Sequence, residues 1–455
     1  MFKKIEIWIL YLVLILAFVF AIFFGVLVRQ ELVGSTKLGA VSKTALWLAE
    51  VPGKLKQIIV SSSPILVNNR FSGQSGFNGN PNEYESYMLL SRYDGDLEQG
   101  VVELVDLRNF ETLHVWNPDL DALNSAVPAL NEFERLRIDN ADSRELMTHP
   151  LLTSAGELVF QRDSPLRKID KCSNLIFQNE TDWFHHSLEE DVDGNFWGST
   201  HLYPQTLPED KVGRDLPQEK GFLDDAIVKV SSDGKILSET SIAQLMIKSG
   251  MGNRLNMIGD HGFNYDPIHV NDVQPISSDS RFWKKGDLFI SLGHQSMVFL
   301  YRPSTNEILW KTDENLYHQH DVNVLDDHRI SIFNNNRDFF YDGSDNVVGN
   351  NEIVIYDFET NNFYPHLSEA FSREEIRTES QGRGKILPNG DTFVEETDYG
   401  RTLMFNQVGD VKWSHVNRAS DGMIYRVGWS RLLHTEKDLS LVKELLTEST
   451  CESHH

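Results

Sequence analysis

The sequence predicts an all-β protein, a six-bladed β-propeller preceded by an N-terminal transmembrane helix and a short helical linker. Short strands separated by Gly, Asn and Asp turns recur through residues 84–435. The last three units end alike, with a strand, a polar turn and an aromatic or apolar strand: YRPSTNEILW, YDFETNNFY and FNQVGDVKW. Recurring four-strand units are typical of propeller blades.

The N-terminal element is an almost wholly apolar run at residues 6–28, EIWILYLVLILAFVFAIFFGVLV. About 20 apolar residues suffice for a helix to cross a bilayer, and Lys3 and Lys4 favour a cytoplasmic N-terminus. A cleaved signal peptide is the alternative, although its apolar region usually spans only about 7–15 residues. We expect residues 1–30 to be a single-pass anchor, with the propeller on the periplasmic, lumenal or extracellular side.

Residues 31–83 are predicted to form a juxtamembrane helix and a linker. In LGAVSKTALWLAEVPGKLKQIIV, apolar residues recur every three or four positions. This spacing is typical of an amphipathic helix, lying either on the membrane or against the main domain. The Gly/Asn/Ser-rich residues 71–84 predict an entry loop, and the tail at 436–455 predicts a short helix followed by frayed residues.

Six units are predicted between residues 84 and 435, interrupted by a loop with helical tendency at 119–144 and by a helix in SIAQLMIKSGM. The first unit lacks its innermost strand. The segment MIYRVGWSRLLH, residues 423–434, would supply that strand and close the ring. Seven blades is the alternative count, if residues 119–148 contain further strands.

Composition excludes several classes of protein. A formal net charge of −25 argues against nonspecific nucleic-acid binding, which needs a basic face. The two cysteines, Cys172 and Cys451, are too few for a disulfide scaffold or a Cys-rich zinc site. One disulfide between them is possible. The sequence has no GxxxxGK[ST] loop for a nucleotide, so no cofactor is predicted. A homodimer is compatible with these features.

Histidines recur at a similar place in three successive units. They lie in DWFHHSLEEDVDGNFWGS (182–199), IHVNDVQPISSDSRFWKKGDLFISLGHQS (268–296) and YHQHDVNVLDDHRISIFNNN (317–336). In each block a His-bearing strand meets an acidic or Gly-containing turn and then an apolar strand. This recurrence predicts that the histidines of several blades converge on one centre.

Four motifs carry a resemblance to a known family: IHVNDV (268–273), LGHQSMVFLYR (292–302), HQHDVNVL (318–325) and IFNNNR (332–337). With DWFHHSLEEDVDGNFW and LPNGDTFVEE, the sequence resembles the bacterial PAPS-independent arylsulfotransferases over residues 145–430. The resemblance implies a six-bladed propeller that passes a sulfuryl group from an aryl sulfate to a phenol through a sulfated histidine. It implies His320 as nucleophile and His269 and His186 as further catalytic residues, with His185 replacing His186 if the register slips by one.

One position departs from the family pattern. The family has an arginine just before its HQS-like segment, where this sequence has Gly293 followed by His294. The lost guanidinium would hold the sulfuryl oxygens. Three other arginines are candidates to replace it: Arg337, Arg383 and Arg426.

The chemistry accounts for these residue types. Imidazole is largely neutral near pH 7 and can attack sulfur, while a second histidine protonates the leaving phenolate. Fixed cations or N–H donors stabilise charge on the sulfuryl oxygens. Asn271 and Asn334 would orient the histidines through hydrogen bonds.

Structural roles compete with these assignments. We expect His318 on a loop surface, His294 facing a neighbouring strand, and His185 and His186 on opposite faces of one strand. His149 would either line the channel or merely precede Pro150.

Two other functions remain open. Histidines around an axis could bind Zn²⁺, Cu²⁺ or Fe²⁺, but no HExxH or CxxC motif supports this, so no metal ligand is assigned. The non-enzymatic alternative is a membrane-tethered binding or scaffold propeller. A channel lined by histidines and a cation would favour the enzyme, whereas an apolar plug would favour the scaffold.

Overall fold

The computed structural model describes residues 6–32, 40–42, 44–45, 48–49, 65–127, 146–161, 165–208, 222–255, 258–259, 262–263, 266–338, 346–447 and 451. The chain divides into two units. One contains residues 1–64 with 213–217, and the other contains residues 65–212 with 218–455.

The N-terminal unit contains helix α1 (Ile7–Leu32). Its segment Ile7–Arg29 has a mean hydropathy of 3.0, and none of its most apolar stretch is buried. The helix is therefore long and apolar enough to cross a membrane, a property that signal sequences share. Residues 40–42, 44–45 and 48–49 are also helical, while the rest of the predicted juxtamembrane helix lies outside the described residues.

The second unit is built from short strands with few helices. The helices are α2 (Leu120–Ser125), α3 (Ile242–Lys248), α4 (Ser368–Arg373) and α5 (Glu436–Thr447). The strands are β1 (Leu66–Val67), β2 (Gly76–Gly79), β3 (Tyr87–Asp94), β4 (Gln99–Asp106), β5 (Glu111–Trp116), β6 (Thr148–Leu152), β7 (Leu158–Gln161), β8 (Leu166–Ile169), β9 (Leu175–Asn179), β10 (Trp183–Glu190), β11 (Phe196–His201), β12 (Asp225–Val230), β13 (Ile236–Ser241), β14 (Ile258–Gly259), β15 (Gly262–Phe263), β16 (Val270–Pro275), β17 (Leu288–Leu292), β18 (Met297–Arg302), β19 (Glu307–Thr312), β20 (Val322–Val324), β21 (Arg329–Asn334), β22 (Glu352–Asp357), β23 (Asn362–His366), β24 (Arg383–Ile386), β25 (Thr392–Glu396), β26 (Arg401–Phe405), β27 (Val411–Val416), β28 (Ile424–Tyr425) and β29 (Arg431–Leu433).

The strands form a six-bladed propeller, as the sequence predicts. Blade 1 has the strand order β29-β3-β4-β5, and blades 2 to 5 are β6–β9, β10–β13, β16–β19 and β20–β23. Blade 6 contains β24–β27 with β2 on its outer edge. The predicted helix at SIAQLMIKSGM is confirmed as α3. Of the predicted loop at 119–144, α2 is described, and residues 128–144 lie outside the described residues.

Apolar side chains hold neighbouring blades together. The central strand β17 (LFISL) is buried at every position, because blades pack on both of its faces. The outer strand β19 (EILWKT) alternates between exposed and half-buried residues. Separate buried clusters join successive blades. Ile227 of blade 3 packs in one cluster with Ile290 of blade 4, and Phe289 of blade 4 packs in the next with Ile330 of blade 5.

The C-terminal strand lies in blade 1. β29 pairs antiparallel with β3, in the register Arg431↔Leu89 and Leu433↔Tyr87. The first strand of each blade starts near the axis, where β10 contacts both β6 and β16. β29 occupies the equivalent position in blade 1.

Two features extend past the predicted propeller boundaries of 84 and 435. The segment read as an entry loop contributes β2, which pairs with β27, because backbone hydrogen bonds to an exposed edge do not require a strand-like sequence. Helix α5 buries Val442 and Leu445 in the cluster between blades 1 and 2. Beyond it, Cys451 forms a disulfide with Cys172, while the terminal histidines lie outside the described residues.

Candidate active site

Six non-glycine residues with positive φ, one per blade, lie within the innermost strand of the blade or up to four residues before it. We call them the left-handed ring: Trp429 (φ 64°), His149 (54°), His186 (45°), His269 (56°), His318 (59°) and Gln381 (54°). Such a conformation costs a non-glycine residue about 1–3 kcal/mol and persists only where the surroundings fix it.

Hydrogen bonds from backbone N–H groups to the preceding blade, mostly to side-chain acceptors, fix most of this ring. Each of five ring residues donates its N–H to an acceptor in the preceding blade: His149 to Gly428 O (3.2 Å), His269 to Asp225 Oδ2 (2.9 Å), His318 to Ser296 Oγ (3.1 Å), Gln381 to His320 Nε2 (3.0 Å) and Trp429 to Glu395 Oε1 (2.6 Å). The left-handed conformation thus directs these N–H groups towards acceptors in the preceding blade.

The ring brings histidines from three blades together. The centroid of His186 lies 4.7 Å from that of His269 and 6.5 Å from that of His320. His318 lies 5.9 Å from His320 and 6.4 Å from His269. We call these four residues the histidine cluster. His149 lies beside it, stacked on Trp429 at 4.4 Å.

The hydrogen bonds of His320 define its tautomer. The amide nitrogen of Asn335 donates to the carbonyls of Thr378 and Gln381, so its Oδ1 faces His320 Nδ1 at 2.8 Å. Nδ1 therefore carries the proton, and Nε2 accepts the Gln381 N–H. Burial lowers the pKa of His320 to about 3, against the opposing effect of the Asn335 hydrogen bond. His320 is thus neutral at pH 7, with its lone pair on Nε2.

His269 forms a dyad with an aspartate. Its Nδ1 lies 2.6 Å from Asp266 Oδ2, and the nearby imidazoles, His269 foremost, hold the pKa of Asp266 well below its usual range despite burial. His294 stacks on His269 at 4.3 Å and contacts His318 edge-on at 5.0 Å. The expectation that His294 faces a neighbouring strand is therefore wrong, because its ring packs against two rings of the cluster.

His185 and His186 do not follow the expected alternation. A bulge in β10 between His185 and Leu188 coincides with the positive φ of His186. The two Nδ1 atoms lie 3.0 Å apart, so both rings lie on the same side of the strand rather than on opposite faces. His318 also differs from expectation, since it is only 5% exposed rather than on a loop surface.

The predicted asparagines contact other groups than expected. Asn271 donates to Gln319 O at 2.9 Å, and Asn334 accepts from Tyr317 N–H at 2.8 Å. The asparagine on His320 is Asn335, one residue further along the NNN run. A Cβ added at Gly293 would lie 2.2 Å from Asn271 Nδ2. Asn271 thus occupies the space that a longer side chain at 293 would need.

The three candidate arginines have different surroundings. Arg383 is buried and contacts Asp321 Oδ1 at 3.3 Å and Ser430 O at 3.2 Å. Arg426 pairs with Asp398. Arg337 is half-buried, with Glu379 3.6 Å away. Burial is the main cause that lowers the pKa of His318 and His320, and the charge of Arg337 adds a smaller effect in the same direction.

A separate cavity opens at the other end of the propeller. It measures about 810 Å³ and is lined where the innermost strands finish, by residues that include Gln274, Asn323, Lys385 and His434. The histidine cluster lies where those strands begin. The cluster is therefore the candidate site, because the convergent imidazoles lie there and not at this cavity.

Sequence reasoning missed Asn335, Gln381 and Asp266. Asn335 is displaced by one residue from the predicted position. Gln381 acts through its backbone N–H, which no side-chain pattern reveals. Asp266 precedes the IHVNDV motif by two residues. Its position close in sequence to the predicted His269 is a signal that could have identified it.

Comparison with known proteins gives three results. Among solved structures, the chain is similar to a protein of unknown function from Bacteroides caccae, with 12% identity and a TM-score of 0.45 over 76% of this chain and 98% of that one. It is also similar to TolB from Acinetobacter baumannii, with 8% identity and a TM-score of 0.41 over 87% and 73% of the two chains. No curated protein matches the chain. The model of the arylsulfotransferase (ASST) family matches residues 150–418, more than half of the 455 residues.

Proposed function

Because the chain belongs to the arylsulfotransferase (ASST) family, we propose that it transfers a sulfuryl group from an aryl sulfate to a phenolic acceptor through a sulfohistidine at His320. The observation that carries this proposal is the tautomer of His320. An Nδ1–H held by Asn335 leaves a neutral Nε2 lone pair, which is the form a nucleophilic imidazole needs.

In the first half-reaction, His320 Nε2 attacks the sulfur and the bond between sulfur and the aryl oxygen breaks. The phenolate leaves with the electron pair, and the His269–Asp266 dyad supplies its proton. The sulfated imidazole keeps Nδ1–H on Asn335 Oδ1 and on His318 O, at 2.8 and 3.1 Å. These two acceptors stabilise the positive charge that the ring acquires.

In the second half-reaction, the phenolic oxygen of the acceptor attacks the same sulfur and the N–S bond breaks. The dyad takes the proton of the acceptor, and His320 returns to its neutral form. The ring centroid of His186 lies 6.5 Å from that of His320, close enough for His186 to contact the donor or the acceptor.

Two groups are suited to the charge on the sulfuryl oxygens. Arg337 would take the place of the family arginine, which Gly293 replaces in this sequence. Its charge adds a smaller effect to burial in lowering the pKa of His320. The Gln381 N–H bonds Nε2 at rest, so this 3.0 Å contact must open before attack. The freed N–H then points at the transferred group and can donate to one of its oxygens.

We also propose a cellular location for the protein and closure of the propeller by its C-terminal strand. α1 would anchor the chain with its N-terminus in the cytoplasm, and the propeller would lie in an oxidising compartment. The Cys172–Cys451 disulfide supports this placement, because disulfides persist mainly outside reducing cytosol. Pairing of β29 with β3 would close the propeller.

One observation favours the binding propeller without catalysis. His320 is only 1% exposed and its Nε2 already has a donor, as expected of a structural histidine. The polar lining of histidines with Arg337 nearby supports the enzyme instead.

The test is incubation of the full-length chain in detergent with 4-nitrophenyl sulfate, with and without phenol. We expect phenol-dependent release of nitrophenolate and a mass gain of one sulfuryl group. Both should be lost in His320→Ala and kept in His415→Ala, which removes another buried histidine, whose ring contacts that of Phe77.

Turnover and adduct retained in His320→Ala would exclude this nucleophile. A folded wild-type chain with neither release nor adduct would exclude sulfotransfer from this donor and favour the binding propeller.

A further inference from the structure

Blade 3 places three metal-binding side chains on adjacent strands behind the histidine cluster. His185 lies on β10, His201 ends β11 and Asp225 begins β12, and the last two are direct register partners. The three residues are 3%, 7% and 0% exposed. His185 Nε2 lies 2.8 Å from Asp225 Oδ1, His201 Nδ1 lies 3.6 Å from the same oxygen, and the two rings stack at 4.0 Å.

The three facing atoms make no well-aligned hydrogen bond. His185 Nε2, His201 Nδ1 and Asp225 Oδ1 are buried, and although His185 Nε2 and Asp225 Oδ1 lie 2.8 Å apart, none of the three forms a hydrogen bond of good geometry in the described structure. The other carboxylate oxygen, Asp225 Oδ2, already accepts the His269 N–H at 2.9 Å. Buried polar atoms without partners are rare and carry a desolvation penalty, so three of them aimed at one point indicate a missing ligand.

We propose that His185, His201 and Asp225 bind a divalent transition-metal ion of the Zn²⁺ class. Nitrogen and carboxylate ligands lie about 2.0–2.2 Å from zinc, which places neighbouring ligand atoms roughly 3.0–3.6 Å apart. The observed separations of 2.8 and 3.6 Å bracket that range. Two imidazoles with one carboxylate form a ligand set for Zn²⁺ or Fe²⁺ and leave a further coordination position open.

The second nitrogen of His185 extends the site towards the cluster. A metal-bound histidine typically donates its other ring N–H to a neighbour. Here His185 Nδ1 faces His186 Nδ1 at 3.0 Å. The ion would therefore make His186 Nδ1 an acceptor and leave its N–H on Nε2. This positioning role rests on the proposed function, whereas metal binding does not.

A neighbouring triad provides the matched control. Asp266, His269 and His294 also lie within ligand distance of one another. However, Asp266 Oδ2 is engaged by His269 Nδ1 at 2.6 Å, and His294 Nδ1 contacts Asp266 O at 2.5 Å. Because these ligand atoms already have partners, we assign the ion to blade 3 and not to this triad.

The experiment measures zinc on the full-length chain in detergent, after loading with Zn²⁺ alone and extensive dialysis against weak chelator. We expect about one zinc per wild-type chain, with a rise in Tm on loading. His201→Gln should lose both, and His294→Gln should keep both. Zinc-free wild-type chain, zinc retained in His201→Gln, or zinc lost in His294→Gln would each overturn the assignment.

A second readout does not depend on how the variants fold. Zinc-edge anomalous diffraction from wild-type crystals should place the ion between His185 Nε2, His201 Nδ1 and Asp225 Oδ1. An anomalous peak elsewhere, or none, would overturn the site. Because neither readout measures sulfotransfer, failure of the metal site and failure of the proposed function remain distinguishable.

Discussion

At the scale of single residues, the environment of His320 determines how its reactivity depends on pH. Burial lowers its pKa to about 3, so the neutral form dominates from pH 9 to well below pH 5. Acidification protonates the nucleophile only near pH 3. We therefore expect the first half-reaction with 4-nitrophenyl sulfate, followed by stopped-flow release of nitrophenolate, to stay flat between pH 8 and 5. A decline centred near pH 6.5, the pKa of an ordinary histidine, would contradict this assignment.

Asp266 provides a second prediction, which concerns the leaving group. The dyad with His269 matters only where the departing phenolate needs a proton, because an acidic phenol leaves unaided. Asp266→Asn should slow transfer from phenyl sulfate by on the order of 10²-fold more than transfer from 4-nitrophenyl sulfate. The kcat/KM values for the two donors provide the comparison. Equal losses for both donors would remove the dyad from the role of proton donor.

At the scale of elements, the turn between β17 and β18 depends on a small residue at 293. A Cβ there would lie 2.2 Å from Asn271 Nδ2, so Gly293→Ala should lower the free energy of unfolding by about 1–3 kcal/mol through overpacking. Combining it with Asn271→Ala should recover part of that loss, because the clashing amide is gone. Denaturant unfolding of the two single variants and the double variant gives the coupling energy. Strictly additive effects would show that the two side chains do not compete for space.

The strands and turns of the propeller show where the sequence predicts the structure and where it does not. Turn residues and strand length predicted the six blades, because four short strands with polar turns recur. The failures concentrate at the left-handed ring. Alternation assigns side chains to faces with period two, whereas the bulge at His186 and its positive φ break that period. Asn335 was missed for a related reason, since it lies just past the end of β21.

Other omissions come from pairing between strands distant in sequence. His201 and Asp225 meet only because β11 and β12 pair in a particular register across a long connection, and no local motif reports that register. The sequence predicts a loop at β2 because three of the four residues in GFNG, the two glycines and the asparagine, disfavour strands, and because its partner β27 is distant along the chain.

At the scale of the whole molecule, the disulfide constrains the largest loop in the chain. Cys172 and Cys451 are 279 residues apart, so the bond removes much conformational entropy from the unfolded state. Reduction, or Cys451→Ser, should lower stability by about 2–4 kcal/mol. Thermal unfolding with and without reductant measures the loss, and Cys451→Ser should then be insensitive to reductant. A wild-type Tm unchanged by reductant would contradict the prediction.

The position of β29 also determines when blade 1 can be completed during synthesis. Blade 1 begins near residue 87 but contains a strand from residues 431–433, so the edge of β3 waits for almost the whole chain to emerge. Until then, an unpaired edge faces the crowded surroundings of a nascent polypeptide and can recruit strands from other chains. Chains truncated before Arg431 would keep that edge open permanently, and premature termination would thus favour aggregation over a slightly shorter working protein.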